Sequence, residues 1–332
     1  MSNYNGNVLE GRAILDAVYS FVPAFGRVFV VVNPSEYSKE AYMKLNQIFK
    51  PFDNKVRLFT SVTDAYDATD TNNNDVILMD GGSVSHKVTS MLTVSKNRVH
   101  FRAMEGGTRR LSNQRCLISN SGAGVATDTA MVKVTGTGNT FKGISFKNNW
   151  TVTENLFAVD FSGSTGYFEN CTFHNLGSAH LTNANAAALH LTADDVEFVE
   201  CELGADTVKM TASGGQVVKM DGASTRAIFR DCLFRVWSSQ TNYTLFNLVG
   251  DGSNNLQLFK NCSFSNRVNG GVTLAVAVKS SAATAGDVEF DTNCYCAGCT
   301  DFATAAVGNT GMRIASPVPT AGTSGIAVQP TA

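Results

Sequence analysis

The sequence predicts an all-β chain. The expected fold is a right-handed parallel β-helix of roughly seven turns, with a small N-terminal α/β cap and an extended C-terminal tail. Two observations predict it. A Phe-x-Asn-Cys-x-Phe motif stands at 168–173, 198–203, 229–234 and 259–264, with a degenerate copy at 141–146 and a frayed one after Phe290; successive first phenylalanines are 27, 30, 31, 30 and 31 residues apart. A second strand-like stretch precedes each later motif, at 157–161, 188–192, 216–220, 244–248 and 272–276. A fixed period of this size marks a stacked architecture, because one repeat cannot bury its apolar face without neighbours.

Within one repeat, strand alternation points Cys171 and Phe173 to one side and Thr172 to the other. Phe168 lies three residues before Cys171, so both face inward only if the chain turns a corner between them. The corner residue is Gly143, Asn170, Glu200, Asp231 or Asn261 in successive copies. Gly, Asn and Asp tolerate the left-handed backbone of such a bend, and Glu200 fits it least well. Three short strands per repeat, returning onto themselves about every thirty residues, define a parallel column ~35 Å long at ~4.8 Å per stacked strand.

This pattern resembles the right-handed parallel β-helix proteins of the pectin-lyase-like class, and within it those carried by tailed bacteriophages. The resemblance covers roughly residues 60–300. It implies a fold and says little about chemistry.

Ahead of the repeats, Leu9, Ala13, Ile14, Ala17, Val18 and Phe21 recur at helical spacing. Residues 27–32 read as a buried strand, and a second amphipathic helix with Ala41, Tyr42, Leu45, Ile48 and Phe49 on one face runs to Pro51. The intervening Asn33-Pro34-Ser35-Glu36 has no glycine to admit a phosphate, which argues against nucleotide binding. Residues 55–60 read as another strand. Ser61-Val62-Thr63-Asp64 has capping-box form for a short helix through Ala68, which resembles the helix covering the first turn in phage β-helix proteins. Such a cover is needed because an open column end exposes strand edges. The expected domains are therefore 1–60, a cap or attachment domain; 61–302, the β-helix; and 303–332, a low-complexity tail of Ala, Thr, Gly, Ser and Pro that is either disordered or an arm on a neighbour. Less regular strands are expected at 76–79, 86–89, 99–101, 117–118 and 131–134, and a solvated cationic loop at 105–110.

Charged residues are 16% of the chain and the net charge is -2, which gives no electrostatic ground for nucleic acid or an anionic membrane surface. No basic-then-apolar leader and no apolar run of ~18 residues is visible, so synthesis in a host cytoplasm is the expectation. Of the eight cysteines, Cys171, Cys201, Cys232 and Cys262 share one repeat position and are expected to form an inward ladder of free thiols. Cys294, Cys296 and Cys299 form C-x-C-x-x-C, a conceivable metal site with no histidine near it and no obvious fourth ligand; no metal and no cofactor is assigned.

Polysaccharide hydrolysis wants two carboxylates facing one groove. Glu200 and Asp231 stand at equivalent places on adjacent turns, but Asn170 and Asn261 continue the same column and a corner role explains all four. Asp194, Asp195, Asp221 and Asp251 follow strands and read as turn formers rather than calcium ligands. His86, His100, His174, His180 and His190 show no metal-ligand spacing. No catalytic, cofactor-binding or metal residue is therefore assigned. The expectation is a non-enzymatic structural protein of a phage virion, decorating the capsid beside the major capsid protein; a trimer is implied by the resemblance. The alternative is a tailspike- or fibre-like protein that binds or cleaves host surface polysaccharide.

Overall fold

The structure, a computed structural model, describes residues 26–33, 57–81, 85–104, 116–192, 194–221, 226–249, 256–280, 288–303 and 312–314. The helices expected before 26 and after Pro34, the loop 105–110, Asp251, and the tail apart from Ala303 and Met312–Ile314 lie outside these residues.

The chain is an all-β parallel β-helix of three faces. Each rung contributes one strand to each face in turn, as in Gly166–Glu169, Thr172–Asn175 and Ala187–Leu191. The third face stacks eight strands, so about seven turns separate the first from the last. Every pairing between successive rungs is parallel and in register with the repeat: Phe141, Phe168, Phe198, Phe229, Phe259 and Phe290 lie directly over one another.

That register dictates the core. Strands repeat at ~4.8 Å, so one aromatic per rung must stack on the next at nearly that distance. Rings from Phe101 to Phe290 accordingly lie 4.8–5.0 Å apart and 6–14° from parallel. The second face sends Phe146, Phe173, Phe234 and Phe264 edge-on into this column, for example Phe173 against Phe198 at 5.9 Å and 72°. Stacked and edge contacts therefore coexist, the first imposed by the backbone and the second preferred by the ring quadrupole.

The corner is as expected. Gly143 has φ +71°, and Asn170, Glu200, Asp231 and Asn261 have φ between +50° and +55°. Each corner N–H donates to the next rung: Asn170 to Val199 O, Glu200 to Arg230 O and Asp231 to Lys260 O, all at 2.9 Å. The cysteine that follows donates its thiol to the carbonyl two residues before it, at 3.2–3.4 Å in Cys171, Cys201, Cys232 and Cys262. Cysteine is thus small enough for the interior and also supplies a weak second donor to a carbonyl that already accepts the corner N–H of the rung before. All four thiols are fully buried, and Cys116 takes the same place beside Ile144. Burial pushes the Cys201 and Cys232 thiols up.

A second inward polar column went unnoticed in the sequence. Asn148 and Asn175 end consecutive second-face strands and are 0% and 5% exposed. Asn148 Nδ2 donates to Asn175 Oδ1 at 3.0 Å, and Asn175 Nδ2 to the carbonyls of Leu156 and Ala187 at 2.7 and 3.0 Å. Asn266 does the same with Val272 and Gly298 carbonyls. These amides replace the backbone bonds that the wide turn cannot make.

The third face departs from strict alternation: Ala188 and Leu189, Val217 and Val218, and Leu245 and Phe246 are consecutive and all buried in the core. Its last strand but one, Leu274–Ser280, begins two residues later than expected, because Gly270 at φ +72° and Gly271 still belong to the turn. Leu92–Val94, Lys209–Met210 and the four-residue helix Ser178–Leu181 were not foreseen.

At the N-terminal end, Val28–Val31 and Leu58–Phe59 extend the first face beyond Asp75–Met79. Helix Val62–Asp67 covers the core, with Ser61 Oγ accepting from Asp64 N at 3.3 Å. Its Tyr66 ring stacks on Phe101 at 6.1 Å, and the hydroxyl oxygen accepts from Ser95 N and Lys96 N, both at 2.7 Å. Lys96 Nζ closes the helix end by donating to the carbonyls of Tyr66, Asp67 and Thr69. Arg27 ties this end together, pairing with Asp70 at 2.6 Å and with the buried Asp75 at 2.7 Å. Burial alone would raise the Asp75 carboxyl, but Arg27 and the Asp70 amide outweigh it and hold it below its ordinary value. Among the described residues no helix is long and apolar enough to cross a membrane.

Candidate functional site

Outward positions are where ligand chemistry must lie, since the interior is filled. On the second face Thr172, Glu202 and Leu233 occupy equivalent outward places on successive rungs. Glu202 is nonetheless only 2% exposed. Its Oε1 accepts from His174 Nε2 at 3.3 Å and pairs with the Arg235 guanidinium, which also reaches Asp206 at 3.5 Å. Burial would raise this carboxyl, yet the His174 hydrogen bond and the Arg235 charge bring it below the usual range. A carboxylate so served is a weak base that stays ionised near neutral pH, and the cluster ties three rungs together. Beside it Trp237 is held between Arg267 at 4.4 Å and Lys209 at 5.7 Å. Trp150, the other tryptophan, is fully buried, so the two form no shared aromatic platform for a glycan.

On the third face an outward row runs Lys133, Asp160, His190, Lys219 and Asn247. His190 Nδ1 lies 2.8 Å from Asp160 Oδ1, and its ring stacks on Phe157 at 4.3 Å. Leu189 and Leu191 on either side of it are buried in the core, so strand alternation turns His190 outward.

The first face carries an open groove of about 450 Å³, lined by Tyr167, Asp195, Glu197, Arg226 and Ile228 among others. Asp195 pairs with Arg226, Glu197 with Arg230 at 2.5 Å, and Glu169 with Lys142 at 2.6 Å. The Tyr167 hydroxyl donates to Glu169 Oε2 at 3.3 Å, and burial together with Glu169 and Glu197 pushes its phenol up. The groove offers an aromatic face, carboxylate acceptors and guanidinium donors, a set suited to holding a hydroxyl-rich chain.

Glu200 and Asp231 stand at their left-handed corners, Glu200 exposed and Asp231 accepting from Asn261 Nδ2. Asp195 has φ +53° and pairs with Arg226, and Asp221 pairs with Lys219 at 3.1 Å. His86 is buried against Asp80 at 2.8 Å, which raises it to about 10 although burial alone would lower it. His100 meets Thr140 Oγ1 at 2.8 Å; burial lowers both His100 and His180 to about 4. Among the described residues no three of His, Cys, Asp and Glu gather as a metal site. Cys294, Cys296 and Cys299 all pack on the core from partly buried places. Glu202 is the residue the sequence reading passed over. Its signal was a charged residue in a column otherwise filled by Thr172, Leu233 and Ser263.

No protein-family model matches the chain, and no curated protein matches it. Among solved structures, pectate lyase Pel9A matches with a TM-score of 0.52 at 15% identity, over 82% of this chain and 64% of that one. The chain thus spans less than two-thirds of that lyase. A pectin methylesterase from Aspergillus niger matches with a TM-score of 0.48 at 15% identity, covering 88% of this chain and 84% of that one. One from Yersinia enterocolitica gives 0.48 at 12% identity, over 78% and 95%. The likeness to the lyase is one of fold, and at this identity it extends no further.

Proposed function

We propose that the chain is a non-enzymatic structural protein of a tailed-bacteriophage particle, a capsid decoration protein working as a trimer against the major capsid protein. The phage setting and the trimer rest on the resemblance of the repeat. The observation that carries the structural role is how the outward charges are used. Glu202 with His174 and Arg235, Asp160 with His190, Glu169 with Lys142, Glu197 with Arg230 and Asp195 with Arg226 each join neighbouring rungs. Acids and bases already paired with one another across rungs fit a bracing role better than a catalytic one. Peptides of this protein in particles purified to constant density support the role; their absence from such particles overturns it.

A second reading is a tailspike- or fibre-like protein that binds or cleaves host surface polysaccharide. The first-face groove with Tyr167, Asp195 and Glu197 favours it. Incubation of the purified chain with host surface polysaccharide separates the two: co-sedimentation with the polymer or its shortening supports the second reading, and the absence of both supports the first.

A further inference from the structure

The fold splits the C-x-C-x-x-C motif. Cys294 continues the thiol ladder: it accepts from Cys262 N at 3.4 Å and donates to Phe259 O at 3.5 Å. Cys296 and Cys299 instead flank Gly298, a corner at φ +75° between the last strands of the second and third faces, Tyr295–Ala297 and Cys299–Ala303. Cys296 lies over Phe264 and Cys299 over Leu274, both fully buried inward residues one rung below. Two inward side chains on either side of a one-residue corner converge, and the Cys299 thiol turns back across the corner to lie 3.9 Å from Ala297 O. Unlike Cys116, Cys171, Cys201, Cys232 and Cys262, both are only partly buried. A small reagent can therefore reach them.

We propose that Cys296 and Cys299 are a reversible dithiol–disulfide site that staples the second and third faces together at the C-terminal rung. The oxidant is a low-molecular-weight disulfide such as oxidised glutathione. The Cys296 thiolate attacks one sulfur of that disulfide, forming a mixed disulfide and releasing one glutathione thiolate. Cys299 then loses its proton and attacks the Cys296 sulfur, closing the internal bond and releasing the second glutathione. Two electrons pass from the cysteine pair to the glutathione disulfide, and the two thiol protons end on the two glutathiones. The neighbouring Cys299 thiol lowers Cys296, which favours Cys296 as the first nucleophile. Cys116, Cys171, Cys201, Cys232 and Cys262 are sealed in the column and stay reduced.

The test uses the full chain equilibrated with oxidised glutathione, then denatured, alkylated and weighed intact, with peptide mapping. Two of the eight thiols should escape alkylation, and both should map to the peptide holding Cys296 and Cys299. In Cys296→Ser no pair should be lost. Should that variant not fold, the wild-type map alone decides. Full alkylation of the wild type, or a lost pair mapping elsewhere, such as Cys262 with Cys294, overturns the proposal.

Discussion

Glu200 holds φ +52° where its counterparts are Gly143, Asn170, Asp231 and Asn261. A left-handed backbone costs a β-carbon-bearing residue about 1–2 kcal/mol, less for Asn, whose side chain bonds locally. Glu200→Asn should therefore stabilise the chain by about 1 kcal/mol, read as a higher denaturant midpoint at unchanged m-value. Cys232 is the opposite case. It is fully buried between like thiols, so Cys232→Lys places an unpaired charge in the ladder and should abolish the cooperative unfolding transition and the β circular dichroism; a normally folded product would contradict the inward ladder. Buried ionisable groups set the pH dependence. His86 is raised from 6.5 to about 10, so its stabilisation is complete below pH 6.5 and is lost as pH rises toward 10. The melting temperature should fall across that window, and His86→Gln should flatten the fall; an equal slope in the variant would refute the pairing with Asp80. Asp75 and Glu202 run the other way. Both carboxyls are lowered from 3.8 and 4.5, so their stabilisation is present above those values and lost on acidification through the depressed ones.

The N-terminal helix shows how an element ends the column. Tyr66 is the last ring of the phenylalanine stack, and its hydroxyl serves two backbone amides. Tyr66→Phe keeps the ring and removes that acceptor, which should cost about 1–3 kcal/mol through two unserved N–H groups; hydrogen exchange should quicken first at Ser95 and Lys96. The elements differed in how plainly the sequence showed them. Motif strands and corners were legible because a fixed period, a Phe, a Cys and an Asn or Asp repeat together, and Ser61 with Asp64 announced the helix start. Leu92–Val94 and Lys209–Met210 were not, since two or three residues carry no periodicity of their own. The consecutive buried pairs of the third face escaped a strict period of two. The Asn148 and Asn175 column was hidden because buried amides look like turn formers until their partners, carbonyls nine to nineteen residues away, are in place. At the candidate site, the outward direction of His190 followed from alternation. The burial of Glu202 did not, because it depends on Arg235 from the next rung and His174 from the previous one.

As a whole the molecule is a stack whose neighbouring rungs share register, aromatic contact and charge pairing, so load on one rung passes directly to the next. The reading as a capsid decoration protein predicts a large, fixed stoichiometry. Its most direct test is the copy number of this protein relative to the major capsid protein in purified particles, by quantitative mass spectrometry with isotope-labelled peptides. The account predicts a constant ratio comparable to the capsid protein itself; a handful of copies per particle, the number expected of a tailspike or fibre, would contradict it.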